Sequence, residues 1–317
     1  MPKNSLFSAA IKVARPVHWV KNLAIFAALF LTGALFEKGE LMKVIWAFIS
    51  FSLATSATYI VNDILDAGSD RLHPTKRFRP IASGALPVPI AILESLILAG
   101  TALFIAAVNP ALNSLFFILV AGYLVLQFFY SLGLKNIATL DILIIATGFI
   151  MRVYAGAFVI DAHLSVWFLL CVISTALFLA SGKRRAELNL VGESNSLTRK
   201  SLRNYKKELL NSYVTMFGNA SWMSWALFTF FESPKASLPI WLVLAELSRT
   251  TTINKLLMLT IPVTIFGIMR YEALIFEGKS ETPEKLLLTD KALITTVSLW
   301  VLLVYWVLYS GVSVVGL

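Results

Sequence analysis

Long apolar stretches recur along nearly the whole chain, and they constrain the fold more than any other feature. About 20 consecutive apolar residues are enough to cross the hydrocarbon core of a bilayer as one helix. Nine stretches are visible, at residues 22–36, 43–61, 88–108, 112–133, 138–160, 164–182, 213–231, 255–275 and 291–312. They occupy most of the 317 residues and leave room only for short connecting loops. The pattern predicts an all-α, polytopic membrane protein with nine transmembrane helices and a single domain over residues 1–317.

Composition excludes the other broad classes of protein. Apolar residues make up 58% of the chain and charged residues 14%, whereas charged residues make up about a quarter of an average soluble domain. A disordered chain, a disulfide-stabilised scaffold and a soluble enzyme are therefore excluded. The single cysteine, Cys171, lies in an apolar run, where we expect it to pack between helices. A further apolar patch at residues 238–247 is too short to span, and we expect it at the membrane interface or over the bundle.

The distribution of charge predicts the orientation in the membrane. The net charge is +9, from 27 Lys and Arg against 18 Asp and Glu. In a soluble protein this excess would indicate nucleic acid, but cytoplasmic loops of membrane proteins also collect Lys and Arg. Most of the basic residues fall in the N-terminal arm and in the loops after the second, fourth, sixth and eighth stretches. We therefore predict no nucleic-acid partner, a location in the inner (plasma) membrane, and a cytoplasmic face that carries these loops.

The segment 62–84, NDILDAGSDRLHPTKRFRPIASG, carries the most chemical information. Asn62, Asp63, Asp66 and Asp70 are spaced so that they share one face of a helix. Carboxylates placed this closely repel one another unless a cation neutralises them. Oxygen ligands without His or Cys favour Mg²⁺, which is usually bound by a few carboxylates together with substrate phosphates. The pattern predicts a catalytic Mg²⁺ and diphosphate site; the alternative is a solvated loop in which the acids pair with neighbouring basic residues.

Basic residues follow this acidic cluster closely, in the run HPTKRFRP. Arg binds phosphate oxygens through paired hydrogen bonds, and Lys binds them as a point charge. Lys76, Arg77 and Arg79 lie in this run, and Lys21 lies in the N-terminal arm on the same predicted side of the membrane. We predict that these four residues bind substrate phosphate groups opposite the metal.

A second region, YSLGLKNIATLD, places Tyr130, Lys135 and Asp141 on the same predicted side, and all three are candidate substrate-binding residues. Asp141 has no acidic neighbour at helical spacing, so we expect it to contact a substrate hydroxyl or to orient Lys135 rather than to hold metal. Arg152 follows within an apolar stretch, where charged residues are rare and need a partner. It is predicted either to contact substrate or to form an ion pair with a buried acid.

A third region, SGKRRAEL, contributes Lys183, Arg184 and Glu187 at the end of the sixth stretch. The plain interpretation is a positive-inside stop signal. The other is a phosphate-binding role near the acidic cluster. The segment 281–290, ETPEKLLLTD, provides either loop contacts or substrate contacts, and the sequence does not choose between them.

Together these motifs resemble the UbiA superfamily of intramembrane prenyltransferases, which are nine-helix proteins with two aspartate-rich motifs. NDILDAGSD resembles the first motif, whereas only Asp141 follows YSLGLK where relatives carry a second aspartate pair. The whole set is similar to the branch that transfers 5-phosphoribose from 5-phosphoribosyl 1-diphosphate to decaprenyl or another polyprenyl phosphate, for the arabinan of cell walls. The resemblance implies a UbiA-type bundle, Mg²⁺ held by Asp63 and Asp66 with Mn²⁺ as a substitute, these two substrates, and the lipid bilayer as a partner.

Two other functions stay open at this point. One is an aromatic prenyltransferase of the same superfamily that uses a prenyl diphosphate, and the missing second aspartate pair argues against it. The other is a transporter for a phosphorylated or lipid-linked solute. Transporters tend to place polar residues at the membrane midplane in inverted repeats, whereas this chain gathers its acids near one face. The sequence leaves a homo-oligomer open.

Overall fold

The computed structural model describes residues 6–73, 75–191, 202, 204–232, 251–277, 286 and 289–310. The apolar patch at 238–247 and most of the segment 281–290 lie outside these residues. The described residues are largely helical and none of them forms a strand, which confirms the predicted all-α class. The α-helices are α1 (Leu6–Ala14), α2 (Phe26–Leu31), α3 (Glu40–Arg71), α4 (Val88–Val108), α5 (Ser114–Leu132), α6 (Leu140–Val159), α7 (Val166–Val191), α8 (Lys207–Phe231), α9 (Ile261–Phe276) and α10 (Lys291–Tyr309). Short 3-10 helices lie at Pro16–Ile25, Ala34–Phe36, Lys76–Phe78, Leu134–Asn136 and Thr251–Thr260.

Seven helical segments in the described part of the chain are long and apolar enough to cross a bilayer. They are α3, α4, α5, α6, α7, the segment Lys255–Phe276 that includes α9, and α10. The chain is therefore an integral, multi-pass membrane protein, but the predicted count of nine spans is not reproduced.

Two of the predicted spans account for the difference. The first, at residues 22–36, is divided between the 3-10 helix Pro16–Ile25, the six-residue α2 and the 3-10 helix Ala34–Phe36. Gly33 breaks it with a φ of 85°, a left-handed conformation that glycine tolerates. The other, at residues 213–231, lies in the 25-residue α8. That helix is long enough, but polar side chains such as Thr215 and Asn219 dilute the apolar content of the stretch.

The chain divides into two compact units, and the prediction of a single domain stays a prediction. The first unit takes in the described residues of 6–27, 37–162 and 191–205. In it α3 packs against α4, α5, α6 and the 3-10 helix Pro16–Ile25. The apolar core between α1, α3, the following loop and α4 consists of Ala9, Val13, Ile60, Ala67, Ile81, Leu86 and Ala91.

One glycine allows a close approach in this first unit. A Cβ atom at Gly156 of α6 would lie 1.8 Å from the carbonyl oxygen of Ile25. Only glycine permits this contact, because a backbone carbonyl cannot yield as a flexible side chain can. The contact holds the end of the 3-10 helix Pro16–Ile25 against α6, and this 3-10 helix carries Lys21 and Asn22.

The second unit takes in the described residues of 28–36, 163–190 and 206–310. Its apolar core consists of Phe178, Ala186, Val214, Tyr271, Leu274, Ile275, Leu286 and Leu293, contributed by α7, α8, α9, α10 and the segment before α10. The hydroxyl of Tyr309 donates a hydrogen bond of 2.7 Å to the carbonyl of Phe30. Within this unit, the end of α10 is thereby fixed to α2.

Candidate active site

The last turns of α3 carry the acidic cluster, as its spacing predicts. Asn62, Asp63, Asp66 and Asp70 all lie within this single helix, which continues to Arg71. Asp63 is 2% and Asp70 4% exposed, whereas Asn62 and Asp66 are half-buried. The cluster is therefore not a solvated loop, and its charges need partners within the protein.

Two arginines neutralise Asp63 and Asp70. The Nη2 atom of Arg15 donates to both carboxylate oxygens of Asp63, at 2.6 Å to Oδ1 and 2.7 Å to Oδ2. Arg79 donates from Nη1 to Asp63 Oδ1 at 3.1 Å and to Asp70 Oδ2 at 2.7 Å. The predicted phosphate ligand Arg79 thus bridges two of the predicted catalytic aspartates.

Lys135 neutralises the remaining aspartate. Its Nζ atom lies 2.5 Å from Asp66 Oδ1 and 3.1 Å from Asn62 Oδ1. The amide of Asn62 also donates to Asp66 Oδ2 at 3.1 Å, and Ser131 Oγ donates to Asn62 Oδ1 at 3.3 Å. Lys135 is buried in the 3-10 turn after α5. The structure therefore pairs Asn62 with Asp66 around one cation.

This donor set fits a hard divalent cation. In the described residues no three His, Cys, Asp or Glu side chains converge on one point. Mg²⁺ does not require such convergence, because it keeps several waters and shares substrate phosphates. The ammonium of Lys135 already marks a place where oxygens of Asn62 and Asp66 together hold a positive charge. The predicted metal ligands Asp63 and Asp66 offer only oxygen atoms, and their assignment stays a prediction.

Asp141 lies in the first turn of α6 and is fully buried. The hydroxyl of Tyr205 donates to Asp141 Oδ1 at 2.7 Å, and the backbone N–H of Thr139 donates to the same hydroxyl at 2.5 Å. Thr139 has a φ of 69°, which is strained for a β-branched residue. Asp141 therefore holds Tyr205 beside the turn that follows Lys135.

Arg152 is buried in α6 and has three hydrogen-bonding groups as partners. It donates from Nε to Asn22 Oδ1 at 2.7 Å, from Nη1 to the Gly148 carbonyl at 2.5 Å and from Nη2 to the Tyr123 hydroxyl at 3.2 Å. Its guanidinium also lies 5.4 Å from the ring centroids of Phe51 and Tyr123. None of these partners is an acid, so the predicted buried ion pair is not formed within the described residues. Its role in substrate binding stays a prediction.

Four other predicted residues, Lys21, Lys76, Arg77 and Tyr130, belong to the first unit. Lys21 donates to the Tyr59 hydroxyl at 3.5 Å. Lys76 and Arg77 are exposed in a 3-10 turn, and Arg77 lies over the ring of Phe78 at 4.8 Å. Tyr130 is half-buried near the end of α5. The exposure of Lys76 and Arg77 leaves these two side chains accessible to a phosphate group, and binding by any of the four stays a prediction.

The SGKRRAEL residues lie in α7 of the second unit. Arg184 is fully buried and donates to Glu187 Oε2 at 2.5 Å, while Lys183 is half-buried. Arg185, which the sequence did not single out, is also buried and donates from Nε to Asn211 Oδ1 at 2.5 Å. A pure stop signal would leave these side chains in water, so their burial indicates a structural contribution to the unit.

Sequence reasoning missed Arg15 and Tyr205. Arg15 is 48 residues from Asp63, and Tyr205 is 64 residues from Asp141. No local spacing links such distant residues. Arg15 precedes Pro16 and has a left-handed backbone with φ 51° and ψ 57°, which the sequence does not indicate. This conformation is costly for a residue other than glycine, and it directs the chain from α1 into the 3-10 helix.

The fold and the site define a multi-pass membrane protein with a buried, charge-matched cluster near the end of one long helix. The chain belongs to the UbiA prenyltransferase family, whose pattern matches residues 22–186. It is 36% identical to the decaprenyl-phosphate phosphoribosyltransferase of Corynebacterium glutamicum over 97% of this chain and 89% of that one. It is 33% identical to the protein of the same name from Mycobacterium tuberculosis over 95% of this chain and 94% of that one.

Solved structures show the same fold. A UbiA homologue from Archaeoglobus fulgidus bound to GPP and Mg²⁺ superposes with a TM-score of 0.69 and 17% identity, over 95% of this chain and 99% of that one. The same homologue bound to DMAPP and Mg²⁺ gives a TM-score of 0.68 and 16% identity, with the same coverage. At these identities the likeness establishes the fold alone.

Proposed function

We propose that this chain transfers 5-phosphoribose from 5-phosphoribosyl 1-diphosphate to a polyprenyl phosphate, with release of diphosphate. The support is its identity of 33–36% with proteins named decaprenyl-phosphate phosphoribosyltransferase, over nearly the full length of both partners. Decaprenyl phosphate is the expected acceptor by this similarity, and the product would supply arabinan for a cell wall.

The observation that carries the proposal is the matched cluster on α3. Asp63, Asp66 and Asp70 are held by three cationic side chains, Arg15, Arg79 and Lys135. Carboxylates of this kind bind a metal ion, and the adjacent cations bind phosphate oxygens. A diphosphate substrate with its metal needs both groups at one place, which this cluster provides.

Asn62, Asp63 and Asp66 would hold a divalent cation, which we propose to be Mg²⁺ with Mn²⁺ as a substitute. When bound, the ion stabilises the negative charge of the leaving diphosphate. The structures of the Archaeoglobus fulgidus homologue, which are bound to prenyl diphosphates and Mg²⁺, are consistent with this chemistry.

In the proposed reaction, an oxygen of the polyprenyl phosphate forms a bond to the anomeric carbon of the ribose. The bond from that carbon to the diphosphate oxygen breaks, and its electron pair leaves with the diphosphate. We expect inversion at the anomeric carbon through an oxocarbenium-like transition state. The nucleophile is already anionic near neutral pH, so it needs positioning and desolvation more than a base. Lys135 and Arg79 would position phosphate oxygens as charge-assisted donors.

We place the site at the cytoplasmic face of the inner (plasma) membrane. The support is the excess of Lys and Arg in the loops that flank the acidic cluster. Cys171 is the single cysteine, so a Cys171→Ser background makes single-cysteine labelling practicable. A cysteine at Thr75, in the loop after α3, should react with an impermeant reagent only in inverted membrane vesicles. Reaction in vesicles of the native orientation would contradict this topology.

An aromatic prenyltransferase that uses a prenyl diphosphate is the second candidate function. Its support is the fold shared with the Archaeoglobus fulgidus homologue, whose solved structures are bound to GPP or DMAPP with Mg²⁺. Against it, Asp141 stands at the place of the second acidic motif as the partner of Tyr205, with no second acid beside it in sequence.

One assay separates these functions. Purified protein in detergent is incubated with Mg²⁺, labelled 5-phosphoribosyl 1-diphosphate and a series of polyprenyl phosphates. We expect a labelled lipid product, and the series reports the preferred chain length. Transfer of a prenyl group from a prenyl diphosphate instead, with no phosphoribosyl transfer, would overturn the proposal. Turnover in detergent would also exclude transport as the sole activity, because no second compartment is present.

A further inference from the structure

Arg15 occupies both oxygens of Asp63, one of the aspartates that would hold the metal. We propose that Arg15 is an exchangeable counter-ion of the active site. It neutralises Asp63 until a divalent cation binds this carboxylate, and it then moves to a phosphate oxygen of the substrate. This inference rests on the proposed function, because it requires a metal-bound diphosphate as the ligand.

Arg15 and a divalent cation would compete for one carboxylate, that of Asp63. Asp63 is 2% exposed, and the Nη2 atom of Arg15 lies 2.6 Å and 2.7 Å from its two oxygens. A guanidinium and a divalent cation on the same buried carboxylate would repel each other strongly, since little water is present to screen them. Binding of a metal to Asp63 therefore requires the withdrawal of Arg15.

The surroundings show why Arg15 rather than Arg79 is the group that moves. Arg79 lies closer to Asp70, at 2.7 Å, than to Asp63, at 3.1 Å. It therefore keeps an acidic partner, Asp70, when a metal ion binds Asp63. Arg15 has Asp63 as its acidic partner, and its guanidinium lies 5.3 Å from the ring centroid of Tyr59. Tyr59 precedes Asp63 by one helical turn, so its ring keeps Arg15 beside the site without fixing it to the carboxylate.

The negative charge of the substrate provides a new partner for Arg15 after it leaves Asp63. The aspartates of the cluster are balanced by Arg15, Arg79 and Lys135. A diphosphate carries more negative charge than one divalent cation neutralises. The side chain of Arg15 is 21% exposed, so it can reach a ligand that enters from outside the helices. Arginine also forms paired hydrogen bonds with phosphate as it does with carboxylate.

The test measures metal binding and anion binding separately in Arg15→Gln. Binding of Mn²⁺ to the detergent-solubilised protein without substrate is followed by electron paramagnetic resonance. Binding of 5-phosphoribosyl 1-diphosphate, and of inorganic diphosphate as a probe that lacks ribose, is followed by calorimetry with Mg²⁺ present. We expect Mn²⁺ to bind about tenfold more tightly and both anions about tenfold more weakly, as one charge-assisted contact predicts. Arg79 still donates to Asp63 in this variant, so the carboxylate keeps a counter-ion.

Matched variants make these opposite shifts diagnostic. Arg270→Gln removes an arginine that is likewise paired with an aspartate, Asp290, and it should change neither binding constant. In an Asp63→Asn background, Arg15→Gln should no longer change the affinity for Mn²⁺, because the shared carboxylate is gone. Arg15→Lys, which keeps the charge but not the paired donors, should fall between the parent and Arg15→Gln.

Unchanged or weaker Mn²⁺ binding in Arg15→Gln would overturn the inference, and so would unchanged binding of both anions. Failure of the proposed function is distinguishable from both results. It would appear as a parent protein that makes no phosphoribosyl lipid. The Mn²⁺ binding measurement, which uses no substrate, would still show whether Arg15 and Mn²⁺ compete for Asp63.

Discussion

The hydroxyl of Tyr205 donates a hydrogen bond of 2.7 Å to Asp141 Oδ1, and both residues are buried. The two residues are 64 positions apart in the chain. This bond connects the start of α6 to the segment before α8 within the first compact unit, and it gives Asp141 a structural partner.

Removal of this hydrogen bond in Tyr205→Phe should lower the stability of the protein. A hydrogen bond to a charged group contributes about 1.5–3 kcal/mol, and the variant also leaves the Thr139 N–H without its hydroxyl partner. Chemical unfolding in detergent measures the loss. Tyr154→Phe is the control, because the Tyr154 hydroxyl makes no hydrogen bond within the described residues and its ring packs on Phe158. Equal stability of the two variants would contradict the assignment.

The metal requirement should distinguish the acidic cluster from Asp141. A chelator should abolish turnover, and Mg²⁺ or Mn²⁺ should restore it. Asp63→Asn and Asp66→Asn should raise the Mg²⁺ concentration needed for half-maximal turnover by at least about tenfold, since each removes an anionic ligand. Asp141→Asn should leave that concentration unchanged and lower the rate through altered positioning. If Asp141→Asn shifts the Mg²⁺ requirement equally, a second metal is present and the argument for one acidic cluster fails.

Removal of the Lys135 side chain should lower turnover or substrate affinity. Lys135→Ala removes contacts to Asp66 and Asn62, together with the proposed phosphate contact. We expect turnover or substrate affinity to fall by about ten- to a hundredfold, the size of one charge-assisted contact. Lys43→Ala is the matched control, because Lys43 pairs with Glu40 at the start of α3, whereas Asp66 lies near the end of that helix. Equal kinetics of the two variants would mean that Lys135 serves only to anchor the turn.

Asn22 should be needed to keep Arg152 buried. Asn22 accepts from Arg152 Nε at 2.7 Å and donates to Ser52 Oγ at 2.9 Å. Asn22→Ala leaves a buried cation short of one acceptor, at a cost of about 1–3 kcal/mol. Unfolding of the solubilised protein measures this cost. Asn219→Ala is the control and should be nearly neutral, because the Asn219 side chain on α8 is exposed. A neutral Asn22→Ala would indicate that water replaces the amide.

Acid should weaken the contact that begins α10. The hydrogen bond from Arg270 and the backbone N–H of Leu293 lower the pKa of Asp290 from 3.8 to about 2. A lowered pKa of an acid contributes stability that is present above the unfolded value of 3.8 and is lost as the pH falls toward 2. The difference in unfolding midpoint between the parent and Asp290→Asn should therefore be constant above pH 5 and shrink below about pH 4. A difference that persists unchanged at low pH would contradict this linkage.

Local patterns in the sequence account for the class of the protein and for the position of its acidic cluster. Apolar stretches of sufficient length form membrane-spanning helices, because every backbone polar group inside a bilayer needs a hydrogen-bond partner within the protein. The spacing of Asn62, Asp63, Asp66 and Asp70 also specifies their place on α3, because helical periodicity depends only on neighbouring residues. The count of nine spans failed at residues 22–36, since apolar content does not register the break at Gly33.

The partners of the cluster depend on the tertiary structure. Arg15 meets Asp63 across 48 residues, Tyr205 meets Asp141 across 64, and Arg152 meets Asn22 across 130. The two residues of each pair are in hydrogen-bonding contact in the folded protein. Sequence patterns indicate only which residues share a face of one helix or strand, so they do not indicate these contacts. Basic residues of the N-terminal arm look alike in the sequence. Only the path of the chain from α1 into the 3-10 helix brings Arg15 to the buried carboxylate of Asp63. The low polarity there strengthens the electrostatic attraction between the two side chains.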